Sequence, residues 1–159
     1  MNAEIRAKLR EILSALLKEL KSWENRRSDR RPVIIELHER VTESDPTAEK
    51  GVLNEGVIAL ALYTALTELD KSGDPCGALA TLAYHFVTSH PFVDGNKRTT
   101  LGVLDHIFYS LGINTVPQPL EEELMRALAE VSDMPPELDE FAIDRLQQII
   151  CQTLRALEG

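Results

Sequence analysis

Long apolar runs are missing from this chain, and with them any stretch able to cross a bilayer as a helix. Cysteine is scarce. Cys76 and Cys151 stand far apart and fit neither a CxxC pair nor a zinc-ligand spacing, so free, buried thiols in a reducing cytoplasm are expected. No HExxH pattern occurs, and His38 and His106 offer no metal-ligand spacing, which leaves them structural or exposed. No secretory leader is expected either, because Met1-Asn2-Ala3-Glu4 opens directly into a charge-laced amphipathic segment. Positive charge is in short supply: 17 Lys and Arg face 26 Asp and Glu, a net charge of −9. The deficit is uneven. Residues 1–40 hold ten basic side chains against seven acidic ones, and the remainder holds seven against nineteen. So acidic a body argues against nucleic-acid binding, which depends on neutralising phosphates. The local cluster Arg26, Arg27, Arg30 and Arg31 fits a solvated turn between helices better than a seat for an acidic partner. Strand patterns, internal repeats and low-complexity tracts are also absent.

What is present is helical periodicity. Ile5, Leu9, Ile12, Leu13, Leu16, Leu17 and Leu20 recur at spacings of three and four, which gives an amphipathic helix whose stripe docks on the rest of the chain or on a second copy. A second helix is expected from about Pro32 through Val41. From Leu53 to Leu69 the pattern is apolar nearly all round, as in a buried central helix. Asp74 and Pro75 form an N-cap and first-turn pair for the next helix, which runs to Ser89 and carries His85 as a packed core histidine. Leu101 to Leu111 continue one core-facing helix, stopped by Gly112. Pro117 and Pro119 precede a helix opening on Glu121-Glu122-Glu123, and Met134-Pro135-Pro136 precedes a last amphipathic helix over 137–157. At 159 residues the expectation is one all-α domain around one core.

The chemistry is concentrated in His90-Pro91-Phe92-Val93-Asp94-Gly95-Asn96-Lys97-Arg98-Thr99-Thr100. His90 is equipped to act as a general base, since an imidazole titrates near neutrality. Pro91 disfavours helical backbone at His90. Phe92 is the apolar anchor that can pin the loop to the core. Asp94 is a short carboxylate able to hold Mg²⁺ or to cap a helix. Gly95 permits unusual backbone angles, and the apolar run after Arg98 marks a helix. The segment is therefore a loop entering a helix N-terminus, whose free N–H groups attract an anion. Lys97 and Arg98 add two cations for phosphate oxygens. Singly, each residue suits an ordinary turn. Together they exceed what a turn requires.

This stretch resembles the signature of the Fic/Doc family, His-x-Phe-x-Asp/Glu-Gly-Asn-Gly/Lys-Arg, at all of its positions. Lys97, and Leu101 where adenylyl-transferring Fic enzymes carry a second arginine, resemble the Doc, or "death on curing", toxin branch. Weaker similarity extends from Pro32 to the last helix, including Ile35-Glu36-Leu37-His38-Glu39-Arg40 and Gly51-Val52-Leu53-Asn54-Glu55-Gly56. The resemblance implies a compact Fic/Doc-type helical bundle over residues 31–159, with residues 1–30 as an extra N-terminal amphipathic helix. It implies His90 as the base for a target hydroxyl and Asp94 as the Mg²⁺ ligand, with Gly95, Asn96, Lys97 and Arg98 cradling the phosphates of ATP. In Fic adenylyltransferases a glycine in place of Lys97 leaves room for the β and γ phosphates. Doc proteins present the γ-phosphate instead, and the target implied is a threonine of elongation factor Tu. The alternatives are AMP transfer and a catalytically idle module acting by occupancy. The polar linker over 67–77 implies a minimal target-binding flap. Thr153…Glu158 and Ser14…Glu19 each miss the spacing of a self-inhibitory Fic helix by one residue, so control by a separate antitoxin is implied. The N-terminal helix offers a further possibility, a homodimer contact. The expected location is the cytoplasm, without nucleic-acid or membrane partners.

Overall fold

The computed structural model describes residues 3–27, 29–45, 47, 51, 55–92 and 95–158. Among these the chain is all-α: α1 (Ala3–Glu24), α2 (Val33–Glu43), α3 (Glu55–Ser72), α4 (Pro75–Ser89), α5 (Asn96–Leu111), α6 (Gln118–Ser132) and α7 (Asp139–Leu154). A 3₁₀ turn at Pro136–Leu138 precedes α7, and another at Arg155–Leu157 follows it. Among the described residues no helix is long and apolar enough to cross a membrane.

The fold is organised around α4, which packs against α3, α5, α6 and α7 and touches α1. Its sequence explains why. Gly77, Ala78, Ala80 and Ala83 keep its surface narrow, so neighbouring helices approach closely, while Leu79, Leu82, Phe86 and Val87 fill the space between them. Asp74 caps it as expected, its Oδ1 accepting the Cys76 N–H at 3.0 Å. Only Gly73 and Asp74 separate α3 from α4, so the flap position over 67–77 is almost entirely helix.

The apolar stripe of α1 docks on its own chain. Leu9, Leu13, Leu16 and Leu20 belong to the same core cluster as α3 and α4, and α1 lies along α3 and α5. By packing, α1 is thus a core element of the chain. Glu19 of α1 also accepts the Val33 N–H, supplying the start of α2 with an acceptor that Pro32 does not. An exposed Arg10–Asp70 ion pair joins α1 to α3.

One expectation is overturned. Cys76 and Cys151 are not free thiols: they form a disulfide, with Cα atoms 5.3 Å apart and a separation of 75 positions in sequence. The cause is tertiary. α7 runs antiparallel to α4, so the first turn of α4 meets the last turn of α7. Gln147 Nε2 donates to Asp74 Oδ2 at 2.9 Å beside the bond. Spacing along the chain carries no trace of that pairing.

Candidate active site

At its other end α4 stops in an unusual conformation. His90 is its C-cap, at φ 47° and ψ 61°, in the left-handed region. Pro91 forbids another helical residue there and turns the chain sharply. His90 is left exposed, while Pro91 and Phe92 plunge into the core. Phe92 has no solvent exposure. Its ring stacks on His38 of α2, with centroids 3.8 Å apart and planes 6° from parallel, and it lies 5.9 Å from Phe86.

Asn96 closes the loop that follows. Its Oδ1 accepts the Phe92 N–H, and its Nδ2 donates to the Phe92 carbonyl, both at 3.0 Å. This two-way bond fixes the start of α5 against the Phe92 anchor. Gly95 is the N-cap of α5, at φ 76°. A Cβ there would be strained and would meet Val41 Cγ1 at 3.1 Å. Gly95 supplies no capping side chain. The first-turn N–H groups of Asn96, Lys97 and Arg98 therefore point out of the helix end, where an anion is favoured.

Five of the six residues expected at the site converge. His90, Gly95, Asn96, Lys97 and Arg98 line one cavity of about 390 Å³, together with Met125 midway along α6 and Ser132 and Asp133 at its end. Asp94 lies outside the described residues. Among those residues, no cluster of three His, Cys, Asp or Glu side chains could hold a metal ion. The cavity is instead an anion cradle, built from two cations and a helix N-terminus. A triphosphate fits that donor set, and Mg²⁺, which binds through few protein carboxylates plus phosphate oxygens, is compatible with it.

Several supporting residues were invisible in the sequence. His38, read as structural or exposed, is buried under Phe92, with Nδ1 3.3 Å from Thr99 Oγ1. Arg98 Nη2 donates to Asp45 Oδ2 at 3.1 Å, so the loop after α2 orients one cation of the cradle. Asp45 is held below the usual carboxylate range, first by hydrogen bonds from the Thr47 hydroxyl and N–H and then by Arg98. His85 does not line the cavity. It is half-buried edge-on to Tyr84, and burial lowers its pKa against the opposing pull of Asp139.

An all-α scaffold that sets an exposed histidine beside a helix-end anion cradle defines a protein of the phosphate- or nucleotide-transferring kind. The chain matches the Fic/DOC family model over residues 6–108, from within α1 through the cradle and into α5, and it belongs to that family. No curated protein and no solved structure matches it. Membership carries a Fic-type transferase role in general, with ATP as the family's donor, usually together with a divalent metal.

Proposed function

We propose that the chain is a Doc-like enzyme that moves the γ-phosphate of ATP to a serine or threonine hydroxyl of a protein, with elongation factor Tu the first candidate target. The observation that carries this is the shared cavity, in which exposed His90 opens onto the same space as Lys97, Arg98 and the first turn of α5. His90 takes the proton of the target hydroxyl. The hydroxyl oxygen forms a bond to the γ-phosphorus as the bond to the β–γ bridging oxygen breaks, and ADP departs. Lys97 and Arg98 balance the phosphate charge, and the α5 N–H groups orient the oxygens, which is most of what phosphoryl transfer asks of a protein. Asp94 would hold Mg²⁺, which neutralises phosphate charge when bound. Lys97 favours γ over α attack because it fills and charges the space that a glycine would leave for the β and γ phosphates.

The same proposal sets the work in the cytoplasm under a separate antitoxin. In its support, Thr153, the hydroxyl of the nearest self-inhibitory look-alike, is buried and donates to the Ile149 carbonyl, away from the cavity.

The test incubates the protein with Mg²⁺, elongation factor Tu and a bacterial lysate, with ATP labelled at the α or the γ phosphate. A γ label on a protein, lost in His90→Ala by roughly 10²–10⁴-fold, is expected. An α label would make the enzyme an adenylyltransferase, and no label from either nucleotide would favour the idle binding module.

A further inference from the structure

Cys76 and Cys151 differ in access. Cys76, in the first turn of α4, is fully buried. Cys151, near the end of α7, is partly exposed and lines a polar surface groove of about 530 Å³ with Gln148, Gln152 and Arg155. Apart from Cys151 itself, the groove is walled by polar and charged side chains alone. Arg155 lies about one turn further along the same face, where a cation attracts an incoming thiolate, and Asp144 is the one carboxylate on the groove's wall. On the Cys76 side the Asp74 carboxylate is already engaged, accepting the Cys76 N–H and the Gln147 amide. One sulfur therefore faces a groove that admits a reagent, and the other faces the core.

We propose that Cys151 is a thiol–disulfide exchange site through which a dithiol reductant, protein or small molecule, opens the Cys76–Cys151 bond. The reductant's thiolate attacks Sγ of Cys151. The S–S bond breaks, and its electron pair leaves with Cys76, which takes up a proton. The reductant's second thiol then attacks its own sulfur in the mixed disulfide and frees Cys151. Two electrons and two protons have passed to the chain, and the reductant departs as a disulfide. A monothiol completes only the first step, because Cys76, held beside the adduct at high effective concentration, expels it and recloses the bond.

This chemistry suits a disulfide in a reducing compartment, where such bonds are transient and redox-sensing. The bond ties residues 75 apart in sequence, so opening it loosens the docking of α7, with the Asp74–Gln147 contact left in place. His90 lies fourteen residues along α4 from Cys76, roughly 20 Å away at the helical rise. The crosslink thus sets the stability of the chain and leaves the cavity geometry alone.

The test uses the whole chain. Without reductant, a thiol-specific alkylating reagent should modify neither cysteine, and after dithiothreitol it should modify Cys151 well before the buried Cys76. The melting temperature should fall by about 10 °C in dithiothreitol, and that of Cys151→Ser should not respond. With oxidised glutathione, Cys76→Ser should accumulate an adduct on Cys151, whereas Cys151→Ser, with Cys76 alone in the core, should accumulate none. If either serine variant fails to fold, the alkylation and melting of the unsubstituted chain decide. Two reactive thiols before reduction, an adduct on Cys76, or a melting temperature indifferent to dithiothreitol would each overturn the proposal.

Discussion

The two ends of α4 are finished in opposite ways. At its N-terminus, Asp74 caps the helix, Gln147 ties that cap to α7, and the Cys76–Cys151 bond fastens the two helices covalently. At its C-terminus, His90 is exposed and left-handed, and the next helix starts on a glycine that offers no capping side chain. Among the described residues His90 and Arg26 are the only non-glycine positions with positive φ. Backbone held in a sparsely populated region has to be over-determined by its surroundings, and such positions gather at functional sites. Here Phe92 and Asn96 supply that determination. One end of the helix is a post, and the other presents the chemistry.

The contrast breaks first at Phe92. Phe92→Ala removes a fully buried ring from the stack with His38 and should cost about 3–5 kcal/mol. Urea denaturation reads that loss. Transfer activity should fall even below the melting temperature, because the Asn96 bonds would hold a loop without an anchor. If activity survived while stability collapsed, Phe92 would be only core filling and the two ends would not be separately built.

Next in size is Gly95. Gly95→Ala imposes a Cβ in the left-handed region against Val41, a cost of roughly 1–2 kcal/mol. The cradle should shift with it, so the Michaelis constant for ATP rises more than the melting temperature falls. Asp74→Ala is the matched change at the other end. Loss of the cap and of the Gln147 contact should cost about 1 kcal/mol, with no change in that Michaelis constant. Equal kinetic effects from the two variants would mean that the post and the site move together.

The parts of this division that were legible in the sequence are those written contiguously. The helix periods, the Asp74 cap, the Gly112 stop and the His90–Arg98 cluster each depend on neighbours within a turn or two, so local rules suffice. Gly95 stands at the N-cap position of α5, and the capping role open to Asp94 lies outside the described residues. The remainder was hidden because it is assembled across the fold. His38 and Asp45 come from α2 and the loop after it, and Met125, Ser132 and Asp133 come from α6 and its C-cap. None carries a spacing that points to residues 90–98. The disulfide was misjudged for the same reason, since only the antiparallel packing of α4 on α7 makes neighbours of its two cysteines.

The smallest effect comes from a pair that belongs to neither end of α4. Asp105 on α5 faces Glu121 in the first turn of α6, and its Oδ1 is buried with no hydrogen-bond partner among the described residues. Burial, then the contact with Glu121, pushes the Asp105 carboxyl up to about 8 from an ordinary value of 3.8. Between those values the folded chain holds a proton that the unfolded chain has released, so stability falls as pH rises through the window and levels off above it. Asp105→Asn keeps a donor for Glu121 and removes the titration. Water reaches this half-buried pair and screens it, which holds the gain to about 1 kcal/mol near pH 9, with little change near pH 4. Melting curves of both chains across that range read the difference, which at this chain length is about 2–4 °C at the alkaline end. A gain of the same size at both ends of the range would show that the asparagine simply packs better. A gain confined to alkaline pH, with the kinetics at the cavity unchanged, would make the α5–α6 seam a fixed reference against which changes at either end of α4 can be measured.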